Sequence, residues 1–355
     1  MRYNIKLSDF KKGDLLMFKK LNFDTYYHSP LWRCLPEVHY SQTMRKKVEP
    51  YLKKRLTTYK VCRKEDQPIY CESYRSDNPK GIVIISHGFT EFCERYHENI
   101  YYFLKAGYHV YMPEHQGHGR SFRPYLDIEN PDYSLTHTDN FQEYVDDLHF
   151  IITSLVMPVK QGLPLYLYAH SMGGCIGTLY LEQHPHVFKK AILNAPMLEL
   201  KLDPLPNGVA WGVAKLMCKL GKAHSYALTQ YPFNPNPDFS NALSTSKARY
   251  HYVFSLAKKD KLFTNSGASY GWLLAALRAT HKALQKENCK KITTPILLFS
   301  AGKDSLVKKE GHLKLLEQVK HGTFVWVPSE KHEIFLGETF ILEKYWGMIF
   351  DFLGR

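Results

Sequence analysis

Short apolar runs alternate with amphipathic stretches over most of the chain. The runs are rich in Val, Ile, Leu and Tyr and many are bounded by Gly or Pro, which is typical of buried strands. They predict strands at 69–74, 82–86, 108–112, 165–169, 191–194, 295–300 and 323–327. Apolar residues at helical spacing predict helices at 94–106, 140–156, 172–184, 307–320 and 338–353. This alternation predicts an α/β fold with a mostly parallel sheet covered by helices on both faces.

The alternation stops between residues 199 and 290. Prolines punctuate this segment, and two amphipathic stretches stand out at 209–220 and 270–277. We interpret 199–290 as a helical cap inserted after the sixth strand, which divides the core into residues 61–198 and 291–355. The apolar stripes of the two stretches either pack against the body of the protein or line an acyl pocket.

Residues 1–60 are basic and Tyr-rich and contain no recognisable motif. Amphipathic pieces around 9–20 and 42–56 favour an N-terminal extension that packs on the edge of the domain. Charges occur throughout residues 1–20 without an apolar h-region, so no signal peptide is predicted.

Length and composition agree with an intracellular globular protein. With 355 residues, 44% of them hydrophobic, the chain can form one large domain with an insertion. No stretch approaches the ~20 apolar residues that a membrane-spanning helix requires. The seven cysteines are scattered and form no CxxC pair, a pattern that suits reduced thiols in the cytoplasm.

The chain is basic, with a formal net charge of +13. The segment 199–290 carries 13 Lys and Arg against 5 Asp and Glu, a net charge of +8. Such charge favours anionic partners, but no RNP, zinc-finger or helix-turn-helix signature is present, so no nucleic-acid partner is predicted. Two interpretations stay open: a charge that only aids solubility, or peripheral contact with an anionic membrane such as a bacterial inner leaflet.

A serine stands at a sharp strand-to-helix junction in LYLYAHSMGGCIG (165–177). The predicted strand ends at Ala169, and Ser171 is followed by Gly173, Gly174 and a helical pattern. This is the arrangement of a nucleophile elbow, in which the turn lifts the serine Oγ clear of the sheet. Ala169 takes the place of the usual first glycine, and we treat it as a tolerated variant.

Two further residues complete the order Ser, Asp, His that α/β-hydrolase triads follow along the chain. Asp304 follows the predicted strand 295–300, and His332 follows the predicted strand 323–327. We expect His332 to take the proton of Ser171 and Asp304 to orient and stabilise the imidazole. Glu330 and Glu333 flank His332 and are rival acids, but both lie on its own loop.

The loop after the early strand Gly81–Ser86 is the predicted source of an oxyanion-hole amide. Its first residues are His87, Gly88 and Phe89, and Gly88 permits a close approach of backbone to substrate. We predict the N–H groups of Phe89 and Met172 as the two donors, supported by His87, Gly88 and Gly173. The histidines at 115 and 118 lack a third ligand nearby in sequence, so no metal site is predicted.

Three of these stretches together carry a family resemblance: SHGFTEFCERY (86–96), PEHQGHGRS (113–121) and AHSMGG (169–174), followed by KDS and KHE. They resemble the α/β-hydrolases that include bacterial lysophospholipase L2 and the monoacylglycerol lipases. The resemblance covers roughly 66–200 and 291–340. It implies an α/β-hydrolase fold with an eight-stranded sheet and a helical cap, ester hydrolysis on lipid-like substrates, and no cofactor.

Three functional hypotheses follow. The first is a serine esterase that cleaves a lysophospholipid or a monoacylglycerol through an acyl-Ser171 intermediate. The second uses the same site as a proline-iminopeptidase-like amidase or a general carboxylesterase, since the superfamily includes both. The third is an inactive hydrolase scaffold that binds lipids. The sequence leaves headgroup, acyl length and oligomeric state open.

Overall fold

The computed structural model describes residues 18–26, 32–127 and 129–354. The predicted extension at residues 1–60 is therefore described only in part, since 1–17 and 27–31 lie outside these ranges. Its amphipathic piece around 9–20 falls almost wholly outside them.

A nine-stranded sheet forms the centre of the described chain, with the spatial order β1-β11-β10-β8-β7-β4-β5-β3-β2. Its strands are β1 (Lys19–Asn22), β2 (Leu56–Lys64), β3 (Gln67–Tyr74), β4 (Gly81–Ser86), β5 (Tyr108–Pro113), β7 (Leu165–His170), β8 (Lys190–Asn194), β10 (Ile296–Ala301) and β11 (Gly322–Val327). Only the pairs β2–β3 and β3–β5 are antiparallel among them. A separate pair joins β6 (Leu135–Thr136) to β9 (Gly267–Ala268). The mostly parallel sheet is as predicted.

The predicted strand number of eight is too low by one. The additional strand, β1, pairs in parallel with β11 at the edge of the sheet. The boundary predicted between residues 60 and 61 also falls inside β2, the opposite edge strand. Both strands are half-exposed and largely polar, because only one face of an edge strand is covered. A search for continuous apolar runs in the sequence therefore overlooks them.

Helices cover both faces of the sheet. They are α1 (Tyr40–Thr43), α2 (Glu49–Lys53), α3 (His97–Lys105), α4 (Gln142–Ile151), α5 (Met172–Gln183), α6 (Asn207–Lys219), α7 (Lys247–Ala257), α8 (Tyr270–Ala283), α9 (Lys286–Cys289), α10 (Lys309–Leu316) and α11 (Thr339–Gly354). The helix predicted at 140–156 continues beyond α4 as a π-helical turn, Ile152–Val156. The helix predicted at 307–320 is shorter, since α10 ends at Leu316. No helix among the described residues is long and apolar enough to cross a membrane.

The core consists of two apolar layers, one on each face of the sheet. Strand β4 shows how they arise: Ile82 and Ile84 belong to one layer, whereas Val83 and Ile85 belong to the other. All four side chains are fully buried. A strand with both faces covered needs apolar residues at every position, which explains why the central strands are readable from the sequence.

The segment predicted as a cap follows β8, which is the sixth strand of the sheet when β1 is not counted. It contains α6, α7, α8 and the short α9, and the name cap refers below to these residues, 199–290. Helix α6 packs on α8 through a small apolar cluster that includes Ala214, Tyr270 and Leu274. Helix α8 in turn packs on α5, whose first turn follows Ser171.

A buried ion pair joins the cap to the core and to the described part of the extension. Arg249 of α7 donates to both carboxylate oxygens of Glu98 on α3, at 2.8 Å each. Tyr40 also donates to Glu98 (2.6 Å), and Arg249 donates to the Leu35 carbonyl (2.8 Å). Because isolated buried charges are costly, each of these segments depends on the presence of the others.

The protonation of His97 on α3 makes the stability of the fold depend on pH in the alkaline range. Burial alone would lower the pKa of His97, but hydrogen bonds and charges from Glu49 and Glu72 raise it to about 10. Its Nδ1 lies 2.8 Å from a Glu49 carboxylate oxygen. A raised folded-state pKa adds stability that is complete below about pH 6.5 and is lost as the pH rises toward 10.

The His97→Gln variant is therefore expected to lose roughly 3 kcal/mol of unfolding free energy at pH 6, because it breaks a buried ion pair. The difference from wild type should shrink as the pH approaches 10, where wild-type His97 also becomes neutral. Urea unfolding at several pH values measures this, with the exposed His186→Gln as control. A difference that does not change with pH would contradict the assignment.

Candidate active site

Ser171 lies at a strained junction between β7 and α5. Its backbone has φ 50° and ψ −117°, a conformation that is unfavourable for a residue with a Cβ. Hydrogen bonds hold it in place: the Ser171 N–H donates to the Asn194 carbonyl (3.1 Å), and the Ser171 carbonyl accepts from Met197 (2.8 Å). The side chain therefore projects from a fixed position at the N-terminus of α5.

Glycines permit the close packing behind this junction. A Cβ at Gly173 would lie 2.1 Å from the Ser86 carbonyl oxygen, and one at Gly174 would lie 2.5 Å from Pro196 Cβ. Both distances are too short for any side chain, so α5 can begin this close to the sheet only with glycine. Close packing of α5 on the sheet thus explains the glycines after Ser171.

The structure brings Ser171, His332 and Asp304 into one hydrogen-bonded chain. Ser171 Oγ lies 2.7 Å from His332 Nε2, and His332 Nδ1 lies 2.7 Å from Asp304 Oδ2. The Asp304 loop follows β10 and the His332 loop follows β11, so both loops leave the same edge of the parallel sheet as Ser171. All three side chains are almost completely buried.

Asp304 is held as a carboxylate. Its Oδ1 accepts hydrogen bonds from the backbone N–H groups of Leu306 (2.8 Å) and Val307 (3.0 Å). Burial raises the pKa of Asp304, but the charge and hydrogen bond of His332, together with these amides, lower it below the usual value. Asp304 can thereby fix the Nδ1–H tautomer of His332, which leaves Nε2 free to accept a proton.

The rival acids Glu330 and Glu333 point to other partners. Glu330 accepts a hydrogen bond from Thr245 Oγ1 (2.5 Å), and Glu333 pairs with Arg95. Neither carboxylate bonds to His332 Nδ1, whose partner is Asp304.

A second Ser–His–Asp chain joins Ser269 of the cap to His137 and Asp139 of the core. Ser269 Oγ lies 2.7 Å from His137 Nδ1, and His137 Nε2 lies 3.2 Å from Asp139. Ser269 has ordinary extended backbone angles and caps α8 by accepting the Trp272 N–H (3.0 Å). Its hydroxyl is completely buried, so this chain is structural. The hydrogen-bond order Ser–His–Asp is the same in both sites and does not identify the nucleophile. The backbone conformation and the exposure of the two serines do distinguish them.

The predicted oxyanion donors lie in the loop after β4 and in the first turn of α5. Within the described part of the chain, neither the Phe89 N–H nor the Met172 N–H donates to a protein acceptor. Met172 is the first residue of α5, where the backbone N–H groups of a helix are free and the helix dipole favours negative charge. Neither amide is thus committed to an acceptor among the described residues.

His87 and Gly88 shape the loop that carries Phe89. His87 Nδ1 donates to the Gly88 carbonyl (2.8 Å), and its Nε2 accepts the His115 N–H (2.8 Å). Burial lowers the pKa of His87 to about 4, so the ring is neutral and both bonds persist at physiological pH. A Cβ at Gly88 would lie 2.8 Å from the Glu91 carboxylate.

Sequence reasoning missed a layer of charged residues behind His332. Glu91 is buried, accepts the Gly88 N–H and the Tyr96 hydroxyl, and lies 3.4 Å from Arg95 Nε. Burial raises the pKa of Glu91 to about 7, although the Arg95 charge opposes this shift. The available signal was an acid three residues after Gly88 and an arginine four residues further on, inside a motif already quoted for the family.

A cavity that is partly open to solvent lies beside the site, between the cap and the core. Its volume is about 250 Å³. Thr90, next to Phe89, and Leu336, four residues after His332, are among its lining residues. Most other lining residues are apolar and come from the cap or the adjoining core: Phe92, Phe233, Val253, Phe254, Ala257 and Phe263. Ser171 does not line this cavity, and the serine is only 8% exposed.

The pKa of His332 determines how the activity of this site falls at low pH. Burial lowers the pKa, but the charge and hydrogen bond of Asp304, with further charge from Glu333 and Glu91, raise it above 6.5. A general base must be neutral, so kcat/KM is expected to fall about tenfold per pH unit below this pKa. A pH profile with a soluble short-chain ester measures the effect. A profile that stays flat well below pH 6 would contradict it.

Comparisons with known proteins show the family of the chain. The family model Hydrolase_4, described as serine aminopeptidase, S33, matches residues 77–339. Lysophospholipase L2 of Escherichia coli (strain K12) is 27% identical over 303 residues, covering 82% of this chain and 85% of that protein. Monoacylglycerol lipase of Mycolicibacterium smegmatis is 26% identical over 242 residues, covering 68% and 76%.

The fold is also found in solved structures. A soluble variant of monoglyceride lipase from Saccharomyces cerevisiae, in complex with a substrate analog, superimposes with a TM-score of 0.66. The match covers 84% of this chain and 95% of that one at 17% identity, which supports the fold alone. The predicted α/β-hydrolase fold and the family resemblance are confirmed. The chain belongs to the Hydrolase_4 family (serine aminopeptidase, S33) and is a serine hydrolase.

Proposed function

We propose that this protein cleaves the carboxylic ester of a single-chain lipid, a lysophospholipid or a monoacylglycerol, with Ser171 as nucleophile. The observation that carries the proposal is the hydrogen-bonded chain from Ser171 through His332 to Asp304, built on a strained serine junction. No cofactor is needed for the steps that follow.

The first step forms an acyl-enzyme. Ser171 Oγ attacks the ester carbonyl while His332 Nε2 takes the hydroxyl proton across the 2.7 Å hydrogen bond. The carbonyl oxygen becomes negatively charged and is stabilised by the N–H groups of Phe89 and Met172. His332 then donates its proton to the leaving alcohol, and Asp304 stabilises the imidazolium in between.

The second step releases the fatty acid. Water replaces the alcohol, His332 removes a proton from it, and the resulting hydroxide attacks the acyl carbon. The same two amides stabilise the second tetrahedral intermediate. Collapse of this intermediate returns the proton to Ser171 Oγ and regenerates the free enzyme.

The substrate class is proposed from two observations. The relatives named above are a lysophospholipase and a monoacylglycerol lipase, and both cover more than two thirds of this chain. The cavity beside the site is lined mainly by aromatic and aliphatic side chains, which suits an acyl chain rather than a polar group.

The family description raises an aminopeptidase as the second candidate function. Such an enzyme must hold the free ammonium group of its substrate, which requires an unpaired carboxylate near the serine. The buried acids around His332 are already engaged: Glu91 by Gly88 and Tyr96, Glu333 by Arg95, and Glu330 by Thr245. This occupancy favours ester substrates over N-terminal peptides.

A substrate profile tests the proposal. Rates are compared for lysophosphatidylcholine, lysophosphatidylethanolamine, monoacylglycerols of increasing chain length and a prolyl arylamide. We expect medium or long acyl esters to be cleaved faster than the shortest esters and much faster than the arylamide. Faster cleavage of the arylamide would support the amidase, and failure to label with a fluorophosphonate would support an inactive scaffold.

A cytoplasmic location with peripheral membrane contact belongs to the same proposal. All seven cysteines lie within the described ranges and are free thiols, as a reducing compartment favours. Enzymes acting on single-chain lipids meet their substrates at or near bilayers, and the net charge of +13 favours anionic ones.

A further inference from the structure

Exposed apolar side chains concentrate on one part of the cap. Of twelve large hydrophobic side chains that are exposed among the described residues, six lie between positions 205 and 231. These six are Leu205, Val209, Leu216, Leu220, Leu228 and Tyr231, which we term the docking face. The remaining six are spread over the rest of the described chain, so the concentration is local.

Helix α6 presents half of these side chains on one stripe. Val209 and Leu216 of α6, and Leu220 at its C-cap, are separated by seven and four residues, which places them on the same side of an α-helix. The buried residues Ala210 and Ala214 lie on a different side, which packs against α8. The stripe is therefore not the surface by which α6 attaches to the core, and no residue of the ranges 18–26, 32–127 and 129–354 covers it.

Lysines border the docking face. Within 201–231 the charged residues are Lys201, Lys215, Lys219 and Lys222, with Asp203 as the only acid of this segment. All five are exposed. An apolar stripe bordered by lysines is the pattern of a helix that lies in the interface of an anionic bilayer.

We propose that the docking face binds the surface of an anionic lipid bilayer, with its leucines in the acyl boundary and its lysines among the headgroups. A second copy of this chain fits less well, because a symmetric contact would bring two sets of lysines together. The inference deepens the proposed function, since it places the cap at the surface that would hold the substrate.

Vesicle sedimentation tests the docking face without hydrolysis. The full-length protein is mixed with vesicles of diether phosphatidylcholine, with or without diether phosphatidylglycerol, whose ether-linked chains an esterase cannot cleave. We expect binding only to the anionic vesicles, and binding that weakens as salt is added. Failure of the proposed function would leave this binding unchanged, so the two outcomes are separable.

Two sets of variants locate the bound surface. The double variant Leu216→Gln/Leu220→Gln is expected to weaken vesicle binding at least tenfold. The triple variant Lys215→Gln/Lys219→Gln/Lys222→Gln is expected to weaken it by about two orders of magnitude. The matched control is Phe340→Gln, since Phe340 is 60% exposed on α11, outside the cap.

All these variants should hydrolyse a soluble short-chain ester as wild type does, whereas the docking variants should cleave vesicle-bound substrate more slowly. Wild-type binding by both docking variants, or equal loss with Phe340→Gln, would overturn the proposal. A change in sedimentation coefficient without vesicles, abolished by Leu216→Gln/Leu220→Gln, would also overturn it in favour of a second copy.

A different observation concerns the loop of His332, residues 328–337. Cap residues 240–246 hold this loop through several hydrogen bonds. Glu333 N–H donates to the Leu243 carbonyl (2.8 Å), and Lys331 Nζ donates to the Ala242 carbonyl (2.8 Å). Thr245 Oγ1 donates to the buried Glu330 carboxylate (2.5 Å).

Glu330 connects this contact to the triad. The Glu330 backbone carbonyl accepts a hydrogen bond from the N–H of Lys303 (2.8 Å), the residue before Asp304. Glu330 also precedes His332 by two residues. We infer that Thr245 is a positioning residue for His332, acting through Glu330. The cap thereby contributes to the alignment of the imidazole, in addition to covering the site.

The Thr245→Val variant tests this role, since it removes the hydroxyl and keeps the shape. With a soluble short-chain ester we expect kcat to fall about tenfold while KM stays unchanged, because a small misplacement of the base slows the chemical step. Thr245→Ser should restore kcat, and Ser240→Ala, in the same cap segment, should not change it. A lower melting temperature with wild-type kcat, or no rescue by serine, would overturn the inference.

Discussion

The Ser171→Ala variant is expected to lose roughly 10⁴- to 10⁶-fold in kcat toward acyl esters while it folds normally. The hydroxyl is the only group lost, and no neighbouring side chain can replace it as nucleophile at the same position. Alanine keeps a Cβ at the strained backbone, so the junction with α5 should persist. Rates with a chromogenic ester and circular dichroism measure activity and fold separately.

Ser269→Ala is the matched control for this experiment. Ser269 belongs to the other Ser–His–Asp chain and also bonds to an imidazole at 2.7 Å. Its replacement removes the cap of α8 and should cost about 1 kcal/mol of stability without abolishing hydrolysis. Activity retained in Ser171→Ala, or abolished in Ser269→Ala with the fold intact, would refute the assignment of the nucleophile.

The second large effect is expected for Asp304→Asn, with a loss of roughly 10⁴-fold in kcat. An asparagine amide at this position can donate to His332 Nδ1, which favours the tautomer with its proton on Nε2. That tautomer cannot accept the proton of Ser171. The variant also lacks the negative charge that raises the pKa of His332, so residual activity should persist to lower pH.

Steady-state rates and a pH profile of Asp304→Asn measure both effects, with the exposed Glu310→Gln as control. The neighbouring acids provide a sharper comparison. Glu333→Gln should reduce activity less than Asp304→Asn, because Glu333 pairs with Arg95 rather than with the imidazole. The reverse order of effects would show that Glu333, and not Asp304, is the acid of the triad.

The central strands and the serine junction could be predicted because their physical requirements leave a local trace. Strands such as β4 need apolar residues on both faces, and the start of α5 needs glycine at 173 to approach the Ser86 carbonyl. Each requirement is visible in the sequence within a few consecutive residues, even where the contacting group is distant in the chain. The order of Ser171, Asp304 and His332 added the only long-range information that the sequence offered.

Other parts could not be predicted, because their partners are distant in sequence. The edge strand β1 becomes recognisable only through its pairing with β11, about 300 residues later. The Glu98–Arg249 pair joins residues 151 positions apart, and neither residue differs from an ordinary surface charge in the sequence. The same holds for the contact of Thr245 with Glu330.

The buried Glu98–Arg249 pair has a consequence for protein engineering. Exchanging caps among relatives is an obvious way to alter substrate preference, and the insertion between β8 and β10 looks like a removable module. Here the exchange would leave Glu98 buried without its counter-charge, and the Leu35 carbonyl without the guanidinium that donates to it. A functional chimera must therefore transfer residues 32–53 and the Glu98 position together with the cap.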